Sequence, residues 1–410
     1  MLLPYQDALD RLLAAVPPPQ AALVSLREAS GKVLAEDVRA DHDVPPFDKS
    51  CMDGYALRAA DLDRLPRRLQ VVGTRAAGRL EDQLRVGPGQ AVQIMTGAPL
   101  AEGADAVQMV EKTRSVSEHE VEIEEGLSPG LNVASQGSEV SKGEVVLKAG
   151  RLIRPAEIAV LAAFGISRPK VFRTPRVAIF TTGDELVDVE ASLQPGQIRN
   201  SNAWMLAAQC ARLGLRAEVQ EVVPDAPEAV EKALTRALEY DAALFSGGVS
   251  AGEFDFVHKV LGEAGVEVLF HKVAIKPGKP FLAAVAPEGK MILGLPGNPV
   301  SAFVTFEVLA RPALGRWMGL SVPHLLSVTG RLAGEVRQRP GRLFFKPAHT
   351  RWSGSEWIIE PIETRGSADI TGFSPADSLL LVPAECDVIA AQSQAEAWLL
   401  PGYADSRGTP

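Results

Sequence analysis

Between about residues 170 and 320 the chain alternates short apolar runs with amphipathic stretches, and this leaves few folds open to it. Residues 176–182 read as a strand, after which Asn200-Ser201-Asn202 offers caps to a helix that runs to Leu213 and closes at Gly214. A strand over 217–223 and a helix over 227–239 follow, then a strand over 242–245, a helix over 255–263 and a strand over 266–270. A run at 291–295 and a helix over 300–318 complete the series. Such alternation predicts a mostly parallel sheet covered by helices, with ligands at the carboxyl ends of its strands.

The flanks have a different texture. Ala8, Leu9, Leu12 and Leu13 have helical spacing over 5–15, and Pro17-Pro18-Pro19 stops that helix. From 41 to 137 short β-prone runs (69–72, 91–95, 106–110, 120–123) are separated by Gly, Pro, Asn and Asp, which reads as a β-rich module. Residues 152–164 turn helical again, with Pro155 near the start and Gly165 at the end. After Pro323 short β-like runs return at 325–332, 343–347, 357–361 and 378–383. The expected division is a helical N-terminal and linking region (1–40 with 138–170), an inserted β-rich module (41–137), an α/β domain (171–322), a small C-terminal β domain (323–402) and a tail (403–410).

Two rigid turns stand out within the α/β stretch: Lys276-Pro277-Gly278-Lys279-Pro280, and Pro296-Gly297-Asn298-Pro299-Val300-Ser301. Proline fixes φ and glycine relaxes it, so alternating them holds the backbone in an unusual shape. Lys276 and Lys279 then become positioned positive charges, natural partners of phosphate or another oxyanion. In a chain of formal net charge −9 such a turn is a local site and not part of a polyanion-binding surface. With 46% apolar and 23% charged residues the composition is that of a globular protein. Cys51, Cys210 and Cys386 are far apart, without metal or redox spacing, and read as thiols of a reducing compartment. No apolar leader or membrane-length segment is evident, so a cytoplasmic location is expected.

The loops after the strands carry further polar groups. Residues 242–245 run into Ser246-Gly247-Gly248-Val249-Ser250-Ala251-Gly252, whose amides and hydroxyls suit an anion, although a tight strand-to-helix turn is the commoner use of Gly-Gly. Glu253 and Asp255 follow, and acidic groups beside a phosphate loop need a divalent metal or a proton-transfer role to offset repulsion. Thr181-Thr182-Gly183-Asp184-Glu185 repeats that layout, and Asp225 is a third strand-end carboxylate. Two readings stand side by side: carboxylates at helix N-termini, or a metal-assisted anion site on the sheet edge. Residues 46–56 and Thr96-Gly97-Ala98-Pro99 read as surface loops. The six histidines form no spaced cluster, and neither a nucleophile elbow nor a Walker loop is present.

Taken together these strings resemble the molybdopterin molybdenumtransferase family, MoeA in bacteria and the E domain of gephyrin in animals. The resemblance is carried by PPFDKSCMDGYA (45–56), IMTGAPL (94–100), GADAV (103–107), FTTGDEL (180–186), GQIRNSN (196–202), SGGVSAGEFDF (246–256), IKPGKPF (275–281) and GLPGNPVSA (294–302), in the family's order. It implies a multidomain fold whose central sheet is of the molybdopterin-binding type. It also implies magnesium-dependent insertion of molybdate into adenylylated molybdopterin, giving molybdenum cofactor and AMP.

By motif position Lys276 and Lys279 are then the oxyanion and phosphate binders, with Pro296, Gly297, Asn298, Pro299 and Ser301 shaping the same pocket. Thr182, Gly183, Ser246, Gly247, Gly248 and Ser250 are expected to line the pterin or phosphate part. Glu185, Asp225 and Asp255 match acidic positions of the family, with Asp184, Glu185 and Glu139 as metal ligands. Asp53 and Thr96 match functional positions in the β module, which in the family's homodimer reaches the other subunit's cleft. Other cofactor-biosynthesis proteins are expected partners; nucleic acid and membranes are not. Lys49 stands where Asn is usual, Cys51 where Ala is usual and Glu139 where Asp is usual. The alternatives are an adenylyltransferase acting one step earlier, which shares the SGG loop, and a gephyrin-like scaffold.

Overall fold

The computed structural model describes residues 2–78, 84–247 and 265–402. Its central sheet has six strands in the order Ala217–Val219, Val177–Thr181, Ala242–Ser246, Met291–Leu295, Pro280–Val285 and Glu267–Lys272. The first four run parallel, and Pro280–Val285 alone runs against its two neighbours. The length of the connections accounts for the switch. Parallel neighbours need a crossover long enough for a helix, whereas short turns fold Glu267–Lys272, Pro280–Val285 and Met291–Leu295 into a meander. The strand expected over 266–270 is therefore an antiparallel edge, and the sequence reading passed over Pro280–Val285 altogether. The helix expected over 255–263 lies outside the described residues.

Alternation along Val177–Thr181 divides the core between the two faces of the sheet. Val177 and Ile179 pack with Ala203, Leu206 and Cys210 of the helix Ser201–Arg212. Ala178 and Phe180 point the other way, into a cluster with Ala233, Leu234 and Ala237 of the helix Pro227–Ala237. There Phe180 stacks on Phe245 with ring centroids 4.7 Å apart. The helix Tyr5–Ala14, grouped with the linking region on sequence, instead buries Ala8, Leu9 and Leu12 in the first of these clusters. Its Tyr5 hydroxyl donates to the Val308 carbonyl at 3.0 Å.

Asn200 caps the helix Ser201–Arg212 by accepting from the Ala203 amide, and its Nδ2 donates to Thr181 Oγ1 at 2.8 Å. One side chain thus ties a helix start to a strand end. The expected helix over 300–318 exists as Pro299–Thr305 and Arg311–Trp317, joined by a π turn at Phe306–Ala310.

Three further groups of strands surround this sheet. Ala21–Leu23 pairs with Lys170–Phe172, and Val38–Arg39 with Val145–Leu147. Ala29, Leu34, Ile153 and Leu161 close a small core there, so chain on either side of residues 41–137 meets. A second six-stranded sheet runs Ala106–Met109, Gly54–Leu57, Gln90–Ile94, Arg67–Arg75, Glu120–Ile123, Thr113–Ser117. In the C-terminal part Leu343–Trp352, Trp357–Pro361, Leu326–Leu332, Gln394–Leu399 and Ser378–Val382 pair in turn. Because Leu343–Trp352 also pairs with Ser378–Val382, those five strands close into a barrel around Val328, Leu332, Ile359, Leu380 and Ala397.

The barrel takes one more strand from outside itself. Ile275–Lys276 lies parallel to Leu343–Phe344, on the side of that strand not used by Ser378–Val382. The lysine-rich turn is therefore an edge strand of the C-terminal barrel as well as a loop of the α/β sheet.

Candidate active site

The carboxyl ends of the parallel strands meet as the fold predicts. Val177–Thr181 has sequence neighbours leaving to both sides, so the sheet's topological switch falls at its end. The Thr182 amide donates to the Ser246 carbonyl at 3.1 Å, and the Gly183 amide to the Val223 carbonyl at 3.2 Å. Gly247 has φ of 91°, and a β-carbon there would lie 2.6 Å from the Thr182 carbonyl oxygen, so only glycine permits this approach. Gly248, Ser250 and Asp255 lie outside the described residues.

Asn202 joins two of these loops. Its Nδ2 donates to Ser246 Oγ at 2.8 Å and to the Gly297 carbonyl at 2.7 Å, while Ser246 Oγ donates to the Pro296 carbonyl at 3.2 Å. Sequence reasoning used this residue only as a cap, because an Asn in a first helical turn carries no other local signal. Thr182 Oγ1 and Asn202 Oδ1 are buried without a hydrogen-bond partner among the described residues. Buried polar atoms of this kind are satisfied by water or by a ligand.

The strand-end carboxylates Asp184, Glu185 and Asp225 are all exposed on this edge. Asp184 Oδ1 accepts from the Asp225 amide at 3.1 Å, which puts the two loops in contact. The Glu185 carboxylate folds back on Gly183, where a β-carbon would lie 2.6 Å from Oε2. Among the described residues no three His, Cys, Asp or Glu side chains are grouped to hold a metal. Among the described residues an all-protein metal cage does not fit. One or two carboxylates sharing a magnesium ion with phosphate oxygens and waters does.

Lys276, Lys279 and the second rigid turn open onto a cavity of about 490 Å³. Its other wall comes from the C-terminal barrel: Arg337, Arg342, Phe344, Lys346 and Ser367. Asn298 Nδ2 donates to Ser367 Oγ at 2.9 Å and the Val300 amide to the Ser367 carbonyl at 3.0 Å, closing the cleft at one end. Arg342 donates to the Ile275 carbonyl at 3.4 Å. The Lys276 ammonium stands 4.3 Å from the centroid of the Phe344 ring, a contact worth about 0.5–2 kcal/mol depending on desolvation. Burial, followed by the nearby Arg342 and Lys346 charges, holds the Lys276 pKa below the usual lysine value. Clustered like charges of this sort favour a bound anion, which relieves their repulsion.

Sequence reasoning missed the whole barrel wall. Arg337, Arg342 and Lys346 sit in or beside strands, far along the chain from the lysine turn, and no local pattern marks them. Only the pairing of Ile275–Lys276 with Leu343–Phe344 brings them to it.

In the β-rich module Asp53 Oδ1 accepts from the Thr96 amide at 2.6 Å and from the Thr96 hydroxyl at 2.7 Å. Those two donors hold the Asp53 carboxyl below its usual pKa and keep it ionised. The loop is braced beneath: the Gly97 amide donates to the Ser50 carbonyl and the Leu100 amide to the Asp48 carbonyl, each at 2.8 Å. No hydrogen bond or ion pair among the described residues joins Asp53 or Thr96 to the lysine cleft of the same chain. Glu139 follows just after this module, where its Oε1 is 3.7 Å from Lys49 Nζ. Two of the three departures from the family pattern thus face each other as an ion pair, and nothing described brings Glu139 to Asp184 or Glu185.

A mostly parallel α/β sheet with polar strand ends, faced by a cationic cleft against a β barrel, defines an α/β protein whose cleft suits an anionic ligand. Residues 178–316 match the family model described as a probable molybdopterin binding domain, and residues 3–165 match the MoeA N-terminal region, domains I and II. A molybdopterin molybdenumtransferase from Staphylococcus aureus (strain MRSA252) is 34% identical over 388 residues, covering 93% of this chain and 91% of the relative. The one from Bacillus subtilis (strain 168) is 33% identical over 393 residues, covering 93% and 90%. A solved structure, the molybdopterin biosynthesis MoeA protein from Pyrococcus horikosii, superposes with a TM-score of 0.84 at 32% identity, covering all of both chains. The chain belongs to the MoeA family of molybdopterin molybdenumtransferases.

The turn that carries the lysines makes a specific demand on Gly278. Its φ is 105°, and a β-carbon would lie 2.3 Å from Cγ2 of Thr305, a buried residue whose hydroxyl is tied to the Ser301 and Ala302 carbonyls. Gly278→Ala is expected to cost about 1–3 kcal/mol in stability and to weaken oxyanion binding. Urea unfolding and calorimetric titration with molybdate check both, and unchanged affinity would show that the turn's shape is dispensable.

Proposed function

We infer that this chain inserts molybdenum into molybdopterin, taking molybdate and adenylylated molybdopterin to molybdenum cofactor and AMP. The observation that carries this reading is the cationic cleft of Lys276, Lys279 and Arg342 set at the end of a sheet of the molybdopterin-binding type. Molybdate is a compact dianion, and fixed N–H donors in a partly shielded cleft select it over bulkier neutral ligands. The adenylyltransferase alternative is not favoured, because relatives named as molybdenumtransferases match almost end to end.

The residues divide the work by their chemistry. Lys276, Lys279 and Arg342 hold the oxyanion, while Pro296, Asn298, Pro299 and Ser301 fix the wall behind it. Ser246, Gly247 and the Thr182-Gly183 backbone orient the pterin phosphate, with Asn202 tying the Ser246 loop to the Gly297 turn. Asp184 and Glu185 would hold a magnesium ion against the substrate phosphates, and when bound it would supply charge neutralisation for the leaving AMP. Asp225, through its amide, keeps Asp184 turned toward that edge. Glu139 is better read as the partner of Lys49 than as a ligand. The division into linking region, β-rich module (41–137), α/β domain (171–322) and C-terminal β domain (323–402) serves this site by giving it two walls.

Each site is completed by a second copy of the chain. Asp53, ionised and braced by Thr96, has no hydrogen bond or ion pair to its own chain's cleft among the described residues, and it suits the role of a group delivered from across a homodimer.

Purified protein supplied with adenylylated molybdopterin, molybdate and magnesium is expected to release AMP and form cofactor only when molybdate is present. Lys279→Ala lowers that turnover by roughly 100-fold, the scale of losing one fixed donor at a charged reacting centre. Molybdate-independent release of AMP would overturn the reading. The shared site has its own test. Asp53→Asn and Lys279→Ala chains, each inactive alone, are mixed, dissociated and reassociated. Activity then returns to roughly a quarter of the wild-type value, because half the dimers are mixed and each carries one intact site. No recovery would place Asp53 and Lys279 in the same subunit's site.

A further inference from the structure

Two lysines share one aromatic ring in the cleft, and their surroundings differ. Lys346 Nζ lies 5.9 Å from the Phe344 centroid and 2.8 Å from Glu363 Oε1, so a carboxylate neutralises it. Lys276 Nζ lies closer to the ring, 4.3 Å from its centroid, and no carboxylate stands within 4.0 Å of it among the described residues. Lys276 and Phe344 are register partners across a parallel strand pair, so the backbone itself fixes their contact. Arg342 and Lys346 are the charges that act on the ammonium, and both are cationic.

A lysine can be positioned by a carboxylate or by an aromatic face. The carboxylate orients the ammonium and cancels its charge; the ring orients it and leaves the charge whole. We propose that Phe344 is a positioning residue of this cleft, holding the Lys276 ammonium against one wall so that its undiminished charge and free N–H donors meet a dianionic oxyanion. The inference rests on the reading of the cleft as the molybdate site. It adds that the site's affinity is set by a residue of the C-terminal barrel that never touches the oxyanion. Glu363 meanwhile keeps Lys346 from competing for the ring.

Calorimetric titration with molybdate, using full-length protein, tests this together with steady-state kinetics. Phe344→Leu is expected to weaken molybdate binding roughly 3- to 30-fold, the range that loss of a cation–π contact spans. It raises KM for molybdate more than it lowers kcat. Phe344→Tyr and Phe344→Trp, which keep an aromatic face, stay within about 2-fold of wild type. Phe344→Glu keeps a partner for the lysine but cancels its charge, and it weakens binding more than Phe344→Leu does. Equal affinity in wild type and Phe344→Leu would overturn the proposal, as would failure of both aromatic variants to rescue.

A second measurement does not depend on any Phe344 variant folding. In wild-type protein with ¹³C-methylated lysines, the Lys276 signal, assigned by its loss in Lys276→Arg, is expected to be shifted upfield by the ring. An unshifted signal would remove the contact. If wild-type protein fails to bind molybdate while that shift is present, the functional reading fails and the platform stands.

Discussion

The site depends on a pairing two residues long. Ile275–Lys276 leaves the α/β sheet's hairpin and lies along Leu343–Phe344 at the start of a barrel strand. Without that seam the rigid turn would be a loop carrying two lysines into solvent. With it, Arg337, Arg342 and Lys346 come to face the turn across a cavity, and Asn298 and Ser367 close the end. A short run of backbone hydrogen bonds is a modest interaction, but it fixes register, and register decides which side chains oppose each other. Here it sets Lys276 opposite Phe344.

The electrostatics follow from that geometry. A chain of net charge −9 repels oxyanions at long range, so anion binding has to be built locally. The cleft does this by collecting cations from two folding units and neutralising them unequally. Lys346 is paired with Glu363, whereas Lys276 is left charged against an aromatic ring. On the sheet edge the arrangement has the opposite sign: Asp184, Glu185 and Asp225 stand exposed beside backbone donors, as suits a cation shared with phosphate. On the proposed reading, one end of the site would take the oxyanion and the other the substrate phosphates with their metal. This is the separation that a transfer between them requires.

Much of this was legible in the chain. The strand and helix alternation, the cap at Asn200 and the lysine turn are local signals, each with a direct physical cause, and the ordered motifs carried the family. What could not be read were relations between distant segments. Strand direction reverses at Pro280–Val285 because short turns force a meander, and apolar runs alone carry no sign of direction. Asn202 looked like a second cap, and its link between Ser246 and Gly297 exists only once two loops are adjacent. Nothing in the local sequence announced that Lys49, an unusual residue at its own position, would stand 3.7 Å from Glu139. Arg342, Phe344 and Lys346 had no signal at all, because nothing in a barrel strand announces that it will border a cleft in another unit.

The central claim is that the seam between sheet and barrel holds the oxyanion. Crystals of the protein soaked in molybdate, with anomalous diffraction measured above the molybdenum absorption edge, test it most directly. The account predicts an anomalous peak within hydrogen-bond reach of Lys276, Lys279 and Arg342. A peak confined to the Ser246–Gly247 loop, with the seam cleft occupied by water alone, would contradict it.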